Sequence, residues 1–360
     1  MQKYKDMLIK KKANLKMLRN LIIFVLLIVF TFWFIFKDQD INELISMIKS
    51  VDLFYVFIGA FFMFMTYIME AYNVRSVLVA LGERKIPIIK ALKFTWIGFF
   101  FSAVTPAATG GQPIEVYYMN KEGIKVSNGT MAMLLQLCGF QISTILISII
   151  CAILNFDILK DGMIWFYLLG LTLNSIALTF MLIGVFSKKT TRKLINILVK
   201  ILRFIKVRNV EAKVDKIEEG LNQYDDSAIF IKKHKIEFVK AILRVTVQII
   251  FYHSIPFFIY KAFGLSGYSY LKLFSIQSVL FITVSSLPLP GAIGVSETLF
   301  LKIYSEIFGK ALLHGGMLIF RFVSFYLYII IAVIVVIINA IRMRNVTNDI
   351  DKNIEFIDKE

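Results

Sequence analysis

Four charged side chains, Glu70, Arg75, Arg244 and Arg321, lie in stretches of sequence that are otherwise almost wholly apolar. Ionised groups are costly in hydrocarbon and are retained where they meet a partner or a wet cavity. Two more carboxylates follow breaks in apolar runs, Glu115 at the end of "TPAATGGQPIE" and Glu297 at the end of "LPLPGAIGVSE". In each stretch a proline, Pro106 or Pro288, precedes the glutamate by nine residues, with glycines and a second proline between. A helix restarting near Pro113 would aim unpaired N–H groups and a positive dipole end at a phosphate or carboxylate. Pro113 suits the first helical position, where its missing N–H costs nothing, and the helix after Gly294 would offer the same from the other copy.

The expected site is therefore one cavity in which Arg75, Arg244 and Arg321 face Glu115 and Glu297, with Glu70 nearby. Its walls would come from Pro106, Thr109, Gly110, Gly111, Gln112 and Pro113 in the first break, and from Pro288, Pro290, Gly291 and Gly294 in the second. Gln136 is expected as further polar lining. Plainer roles exist for the same residues. Each glutamate reads equally as a first-turn helix cap, the Pro/Gly pairs as kinks, and Arg244 and Arg321 as snorkelling side chains. His253, beside Pro256, fits either a proton relay or a kink residue.

The elements that must hold these residues are membrane helices. Of 360 residues, 58% are hydrophobic and only 18% charged, below the quarter usual in soluble domains. Runs near the roughly 20 residues needed to cross a bilayer recur at about 18–36, 53–81, 129–154, 163–186, 238–263 and 317–341. The apolar runs 92–104 and 271–287 are too short to cross and lead into the two breaks. The fold expected is an all-α polytopic membrane protein with about six full transmembrane helices and two re-entrant broken hairpins, 92–120 and 271–308. Irregular backbone at such depth requires burial in protein or a wet cavity.

Charge sets the orientation. Lys3, Lys5, Lys10, Lys11, Lys12, Lys16 and Arg19 precede the first span, and Arg342 and Arg344 follow the last, so both termini are expected on the cytoplasmic side of the cell membrane. No small-residue cleavage site follows the first run, which reads as a retained helix. The divisions are a basic N-terminus (1–17), a first membrane half (18–186), a linker (187–237), a second half (238–341) and a tail (342–360). On this count the first hairpin enters from the cytoplasm and the second from outside, which makes the halves an inverted repeat. The motif copies stand 182 residues apart.

The net charge of +16 belongs to loops, so no nucleic acid is expected. Residues 188–240 hold fourteen Lys/Arg against seven Asp/Glu. Within them "KLINILVKILRFIK" reads as an amphipathic helix on an anionic membrane surface, or as a solvated linker. Cys138 and Cys151 read as packing residues. With no nucleophile elbow, phosphate loop or clustered metal ligands, no cofactor or metal is expected and no catalytic residue is assigned. A homo-oligomer is compatible with the sequence.

At "TPAATGGQPIEVYYMNKEGI" and "LPLPGAIGVSETLF" the chain resembles the lysylphosphatidylglycerol synthase transmembrane-region family, over about residues 18–341. That group of flippase-like proteins includes the membrane half of the bacterial multiple peptide resistance factor. The second motif is similar to the family's Pro-Gly-Gly-x-Gly-x-x-Glu, here Pro290, Gly291, Ala292, Gly294 and Glu297, with Ala292 at the second glycine. The first is similar to a Pro-x-x-x-Gly pattern, matched by Pro106 and Gly110; the "GGQP" insert, Tyr117 and Tyr118 stand where many members carry an acid and a base. The resemblance implies movement of a phospholipid or lipid-linked headgroup between leaflets. In the two-part resistance factor the transferase is a separate soluble domain after the membrane region. Only 19 residues follow the last span here, so flippase activity is expected ahead of phosphatidylglycerol lysyltransferase activity or a subunit role in it. A membrane scaffold holding partners through 188–240 is the third expectation.

Overall fold

The computed structural model describes residues 41–105, 108–160, 162–186, 231–285 and 294–341, with Lys193 and Ile229 besides. The described residues are helical throughout, with turns and short links but no strand. The expected first span, the basic terminus, the tail, the amphipathic segment of the linker, Pro106, Pro288, Pro290 and Gly291 lie outside them.

The helices, in chain order, are α1 (Ile41–Ser50), α2 (Leu53–Ala80), α3 (Ile88–Ala103), α4 (Gly111–Lys121), α5 (Val126–Leu154), α6 (Met163–Phe186), α7 (Lys235–Ala262), α8 (Tyr270–Ser285), α9 (Val295–Ile303) and α10 (Ser305–Arg321). A π-helical turn, Phe322–Tyr326, carries α10 on to Ile341. Five helices, α2, α5, α6, α7 and α10 with its extension, are long and apolar enough to cross a membrane. Their outward faces leave Leu53, Phe57, Ile153 and Trp165 more than 70% exposed. Apolar exposure on that scale fits hydrocarbon and not water. Packing and hydrogen bonds, more than hydrophobic burial, must then hold the helices to one another.

Long, short, short, long is the order of α2–α5, and it recurs in α7–α10. Leu53 and Lys235 open the first helix of each set and Ile88 and Tyr270 the second, each pair 182 positions apart, the offset of the two motifs. The equivalent long helices α2 and α7 pack on each other and run antiparallel. Asp52 N–H donates to Ala262 O (2.9 Å) at one end. Phe62 meets Phe258 with ring centroids 4.6 Å apart, and Glu70 meets Gln248 farther along. Positions rise along one helix as they fall along the other. Equivalent helices paired in that sense relate the two halves as an inverted repeat.

At 1.5 Å per residue α3 is about 24 Å long and α4 about 17 Å, both short of the ~30 Å hydrocarbon slab. They fold back on each other as a hairpin. Gly111 of α4 sits where an added Cβ would lie 1.9 Å from Ser102 Oγ and 2.8 Å from Gly98 O of α3. At the open end, Glu122 accepts from Lys90 Nζ and Lys93 Nζ, both at 2.6 Å. Arg84 donates to the Glu122 carbonyl (3.0 Å). Both ends of the hairpin therefore lie together. In the second half, α8 ends against α6. There Asn174 Nδ2 donates to Ile282 O (3.3 Å) and Ser285 Oγ (3.1 Å), and an added Cβ on Gly170 would lie 2.4 Å from Ile282 O. Asn174 thus satisfies a carbonyl that the end of α8 frees.

Two stretches outside the expected spans and hairpins are helical. Residues 41–50, between the expected spans 18–36 and 53–81, form α1, which packs on α10. The stretch "GKALLHGG", between the expected hairpin 271–308 and the span expected from 317, is the other. It is helical, broken only at Gly309, whose φ of 67° and ψ of 162° turn the chain.

Candidate functional site

Between the halves lies a cavity of about 440 Å³, walled by α2, α3, the link after α3, α5, α7, α8, the start of α9, the end of α10 and the π turn. Its polar lining includes Glu70 and Tyr67 from α2, Gln248, Tyr252 and His253 from α7, and Arg321 from α10. The volume falls within the range of small-molecule sites.

Arg321 is 7% exposed and does not snorkel. Its Nε donates to Glu297 Oε1 at 2.5 Å, and its guanidinium lies over the Phe325 ring. The other oxygen, Glu297 Oε2, accepts from Gly294 N–H at 2.7 Å. Glu297 therefore caps α9 and neutralises Arg321 at once. Gly294 takes φ +89°, a conformation side chains resist, which explains glycine at this cap. The π turn begins one residue beyond Arg321 and brings Ser324 and Phe325 into the wall. π bulges inside α-helices frequently mark functional sites.

Glu70 belongs to a chain of polar groups that crosses three helices. Asn73 Nδ2 donates to Gln136 Oε1 (2.6 Å), Gln136 Nε2 to Gln248 Oε1 (2.9 Å), and Gln248 Nε2 to Glu70 Oε2 (3.1 Å). Glu70 and Asn73 are one helical turn apart, so the chain returns to its own face of α2. Gln136 is thus a link behind the wall rather than lining. His253 is fully buried in the wall, ringed by Tyr252, Phe274 and Phe281, and among the described residues neither ring nitrogen has a hydrogen-bond partner.

The first break does not mirror the second. Thr105 Oγ1 donates to Phe101 O (2.6 Å) and accepts from Gly110 N–H (2.9 Å), tying the loop to the end of α3. Ala108 reaches the cavity with φ +53°, a strained angle for alanine. The helix starts at Gly111, two residues before Pro113, so Pro113 falls third rather than first. Glu115 lies beyond the first turn and is no cap. It is 3% exposed and lies over the bare face of Gly98, where an added Cβ would meet its Oε1 at 1.9 Å.

Several site residues are elsewhere. Arg75 Nε donates to Ile86 O (2.6 Å), pinning the link between α2 and α3. Arg244 stacks over Tyr72. Neither joins the carboxylates, because both lie toward the far end of the α2–α7 pair from the Arg321 site. Gly110 and Gly111 serve close packing, Thr109 and Pro113 are exposed, and Gln112 is half-buried off the cavity. The N-terminus of α9 does receive an anion, but that anion is Glu297. Sequence reasoning missed Asn73, Gln248 and Asn174, although amides inside apolar spans are themselves a signal of helix–helix bonding. The π turn left no such signal.

All-α architecture, five candidate spans among the described residues, two half-length pairs and charged side chains buried between antiparallel halves define a polytopic membrane protein. Residues 20–332 match the family described as "Lysylphosphatidylglycerol synthase TM region", and the chain belongs to that family. The family places it among membrane proteins of lipid modification or transport. Comparison with curated proteins gave no match.

Proposed function

We propose that this chain is a lipid flippase, carrying a phospholipid or lipid-linked headgroup between leaflets through the central cavity while the acyl tails stay in lipid. The observation that carries the reading is a cavity holding opposite charges, Glu70 and Arg321, at the junction of two inverted halves. Secondary transporters place their substrate sites at such junctions, near discontinuous helices. Arg321, backed by Glu297, offers the positive pole for a phosphate, and Glu70 with Gln248 offers acceptors for hydroxyl or amine groups. The anionic surface proposed for 188–240 would hold the linker at the headgroups.

The test is leaflet exchange of labelled lipids in vesicles containing the purified protein, across headgroups that include aminoacyl-phosphatidylglycerol and polyprenyl phosphate. Exchange selective for a headgroup supports the reading. Formation of lysyl-lipid from charged lysyl-tRNA and phosphatidylglycerol would instead favour the synthase activity that the family description names.

A further inference from the structure

We propose that the central cavity binds an organic ammonium group, held between aromatic rings and the Glu70 carboxylate; that this ammonium belongs to a lipid headgroup rests on the transport reading above. Two observations carry it. The first is the aromatic wall. Tyr67, Phe99, Phe140, Tyr252, Phe281 and Phe325 all line the cavity. Tyr67 meets Phe99 with centroids 5.3 Å apart at 65°, and Tyr252 meets Phe281 at 5.3 Å and 70°. Phe140 meets Phe281 at 5.7 Å and 71°, and Phe99 meets Phe325 at 5.7 Å and 75°. Rings set so steeply to one another form the corners of a box rather than a stack. The face of an aromatic ring attracts a cation, and cages of such rings are receptors for ammonium groups. Arg321 already takes one ring, Phe325. Among the described residues no cationic side chain stands over the other five.

The second observation is the charge balance. The wall contains one arginine, Arg321, and one acid, Glu70. Glu297 already neutralises Arg321. Glu70 accepts a hydrogen bond from Gln248 (3.1 Å), an uncharged group. Among the described residues no Lys, Arg or His is ion-paired with it. Arg75 on α2 and Arg244 on α7 stand within a turn or two of Glu70 and Gln248 but are engaged elsewhere, on Ile86 O and over Tyr72. A carboxylate in apolar surroundings is costly until a cation joins it. The charge the cavity lacks is therefore positive.

The repeat gives the guest a direction. Lining residues fall into pairs 182 positions apart: Thr66 with Gln248, Tyr67 with Ile249, Glu70 with Tyr252 and Phe99 with Phe281. The cavity is thus built from equivalent positions of both halves, with one of the paired phenylalanines from each. The acid occurs once, because its counterpart is the phenol of Tyr252. One carboxylate in a paired wall provides a single seat for the ammonium, beside Glu70, and leaves the Arg321 end for the phosphate of the same headgroup. A phosphate–ammonium headgroup meets both groups. An anionic polyol headgroup leaves Glu70 without a cation.

Calorimetric titration of the purified protein in an uncharged maltoside detergent tests the site without reference to transport. The probes are soluble headgroups: glycerophosphocholine, glycerophosphoethanolamine and, with hydroxyls in place of the ammonium, glycerophosphoglycerol. Wild type is expected to bind the two ammonium compounds about tenfold or more tightly than the polyol. Equal affinities, tighter binding of the polyol or binding of no probe would overturn the proposal. This comparison uses wild type alone, so it does not depend on a variant folding. Glutamine in E70Q can still accept from Gln248, and folded E70Q should bind the ammonium probes about tenfold more weakly; F281L should lose about two- to thirtyfold. Unchanged affinity in folded E70Q would also overturn it. Glycerophosphocholine binding more tightly than tetramethylammonium supports a headgroup as the source. The reverse order would keep the ammonium site and overturn its lipid source. Ammonium selectivity without leaflet exchange of any lipid would keep the site and count against the flippase reading, and exchange without that selectivity would do the opposite.

Discussion

The Glu297–Arg321 pair fixes the most quantitative expectation. Arg321 and Glu297 side chains are 8% and 2% exposed, and each charge has the other as its counter-ion. Removing one member of such a buried pair leaves the other charged and unmatched, at a cost of about 3–5 kcal/mol. E297Q isolates that term, because glutamine at the third helical position still accepts the Gly294 amide. E297A loses the cap as well and should cost about 1 kcal/mol more. R321M leaves Glu297 buried without its cation and should cost as much as E297Q. The double variant E297Q/R321M places two neutral groups of similar size in the same space and should recover most of either loss. In detergent each single variant should melt on the order of 5–10 °C below wild type, and the double within a few degrees of it. Additive losses, with the double variant worse than either single one, would refute the assignment of a mutually neutralising pair.

Other expectations follow from close contacts and charges. G111A forces a methyl into Ser102 and the Gly98 carbonyl; separation of α3 and α4 should cost about 1–3 kcal/mol, read as a fall in melting temperature. N174L orphans the Ile282 carbonyl and Ser285 at the end of α8. It should cost about 1–3 kcal/mol and raise amide exchange there. At the base of the first hairpin, burial pushes the Glu122 carboxyl up, but Lys90 and Lys93 outweigh it and hold the group below its usual range. The stability this clasp supplies is therefore complete above the ordinary glutamate range and is lost as pH falls through the lowered value. Amide exchange near residues 121–125 should rise there, and E122Q should remove the pH dependence.

Much of the fold was legible because apolar length and loop charge are direct physical signals. Met163–Phe186 was read with its observed ends, and the other described spans to within a few residues except at α10, which begins at Ser305 rather than near 317. The 182-residue offset could be read because two Pro/Gly breaks must occupy equivalent places in a repeat. The site was legible in part. The cost of charge in an apolar run singled out Glu70 and Arg321, and the matched breaks singled out Glu115 and Glu297; the structure places Glu70 and Arg321 in the cavity wall and buries the other two. Arg75 and Arg244 carry the same cost, but only packing shows that one meets a loop carbonyl and the other an aromatic face. Spacing made Glu115 and Glu297 look alike. Their roles diverge because α4 begins four residues before Glu115 and α9 only two before Glu297, so one carboxylate reaches its helix end and the other does not.

The account stands on a headgroup passing the charged cavity, and E297Q/R321M separates that claim from mere stability. Leaflet exchange of the preferred labelled lipid should be at least tenfold faster in vesicles holding wild-type protein than in empty ones, and should fall to the empty-vesicle rate with the folded double variant. Equal rates for wild type and the double variant, or for wild type and empty vesicles, would contradict it.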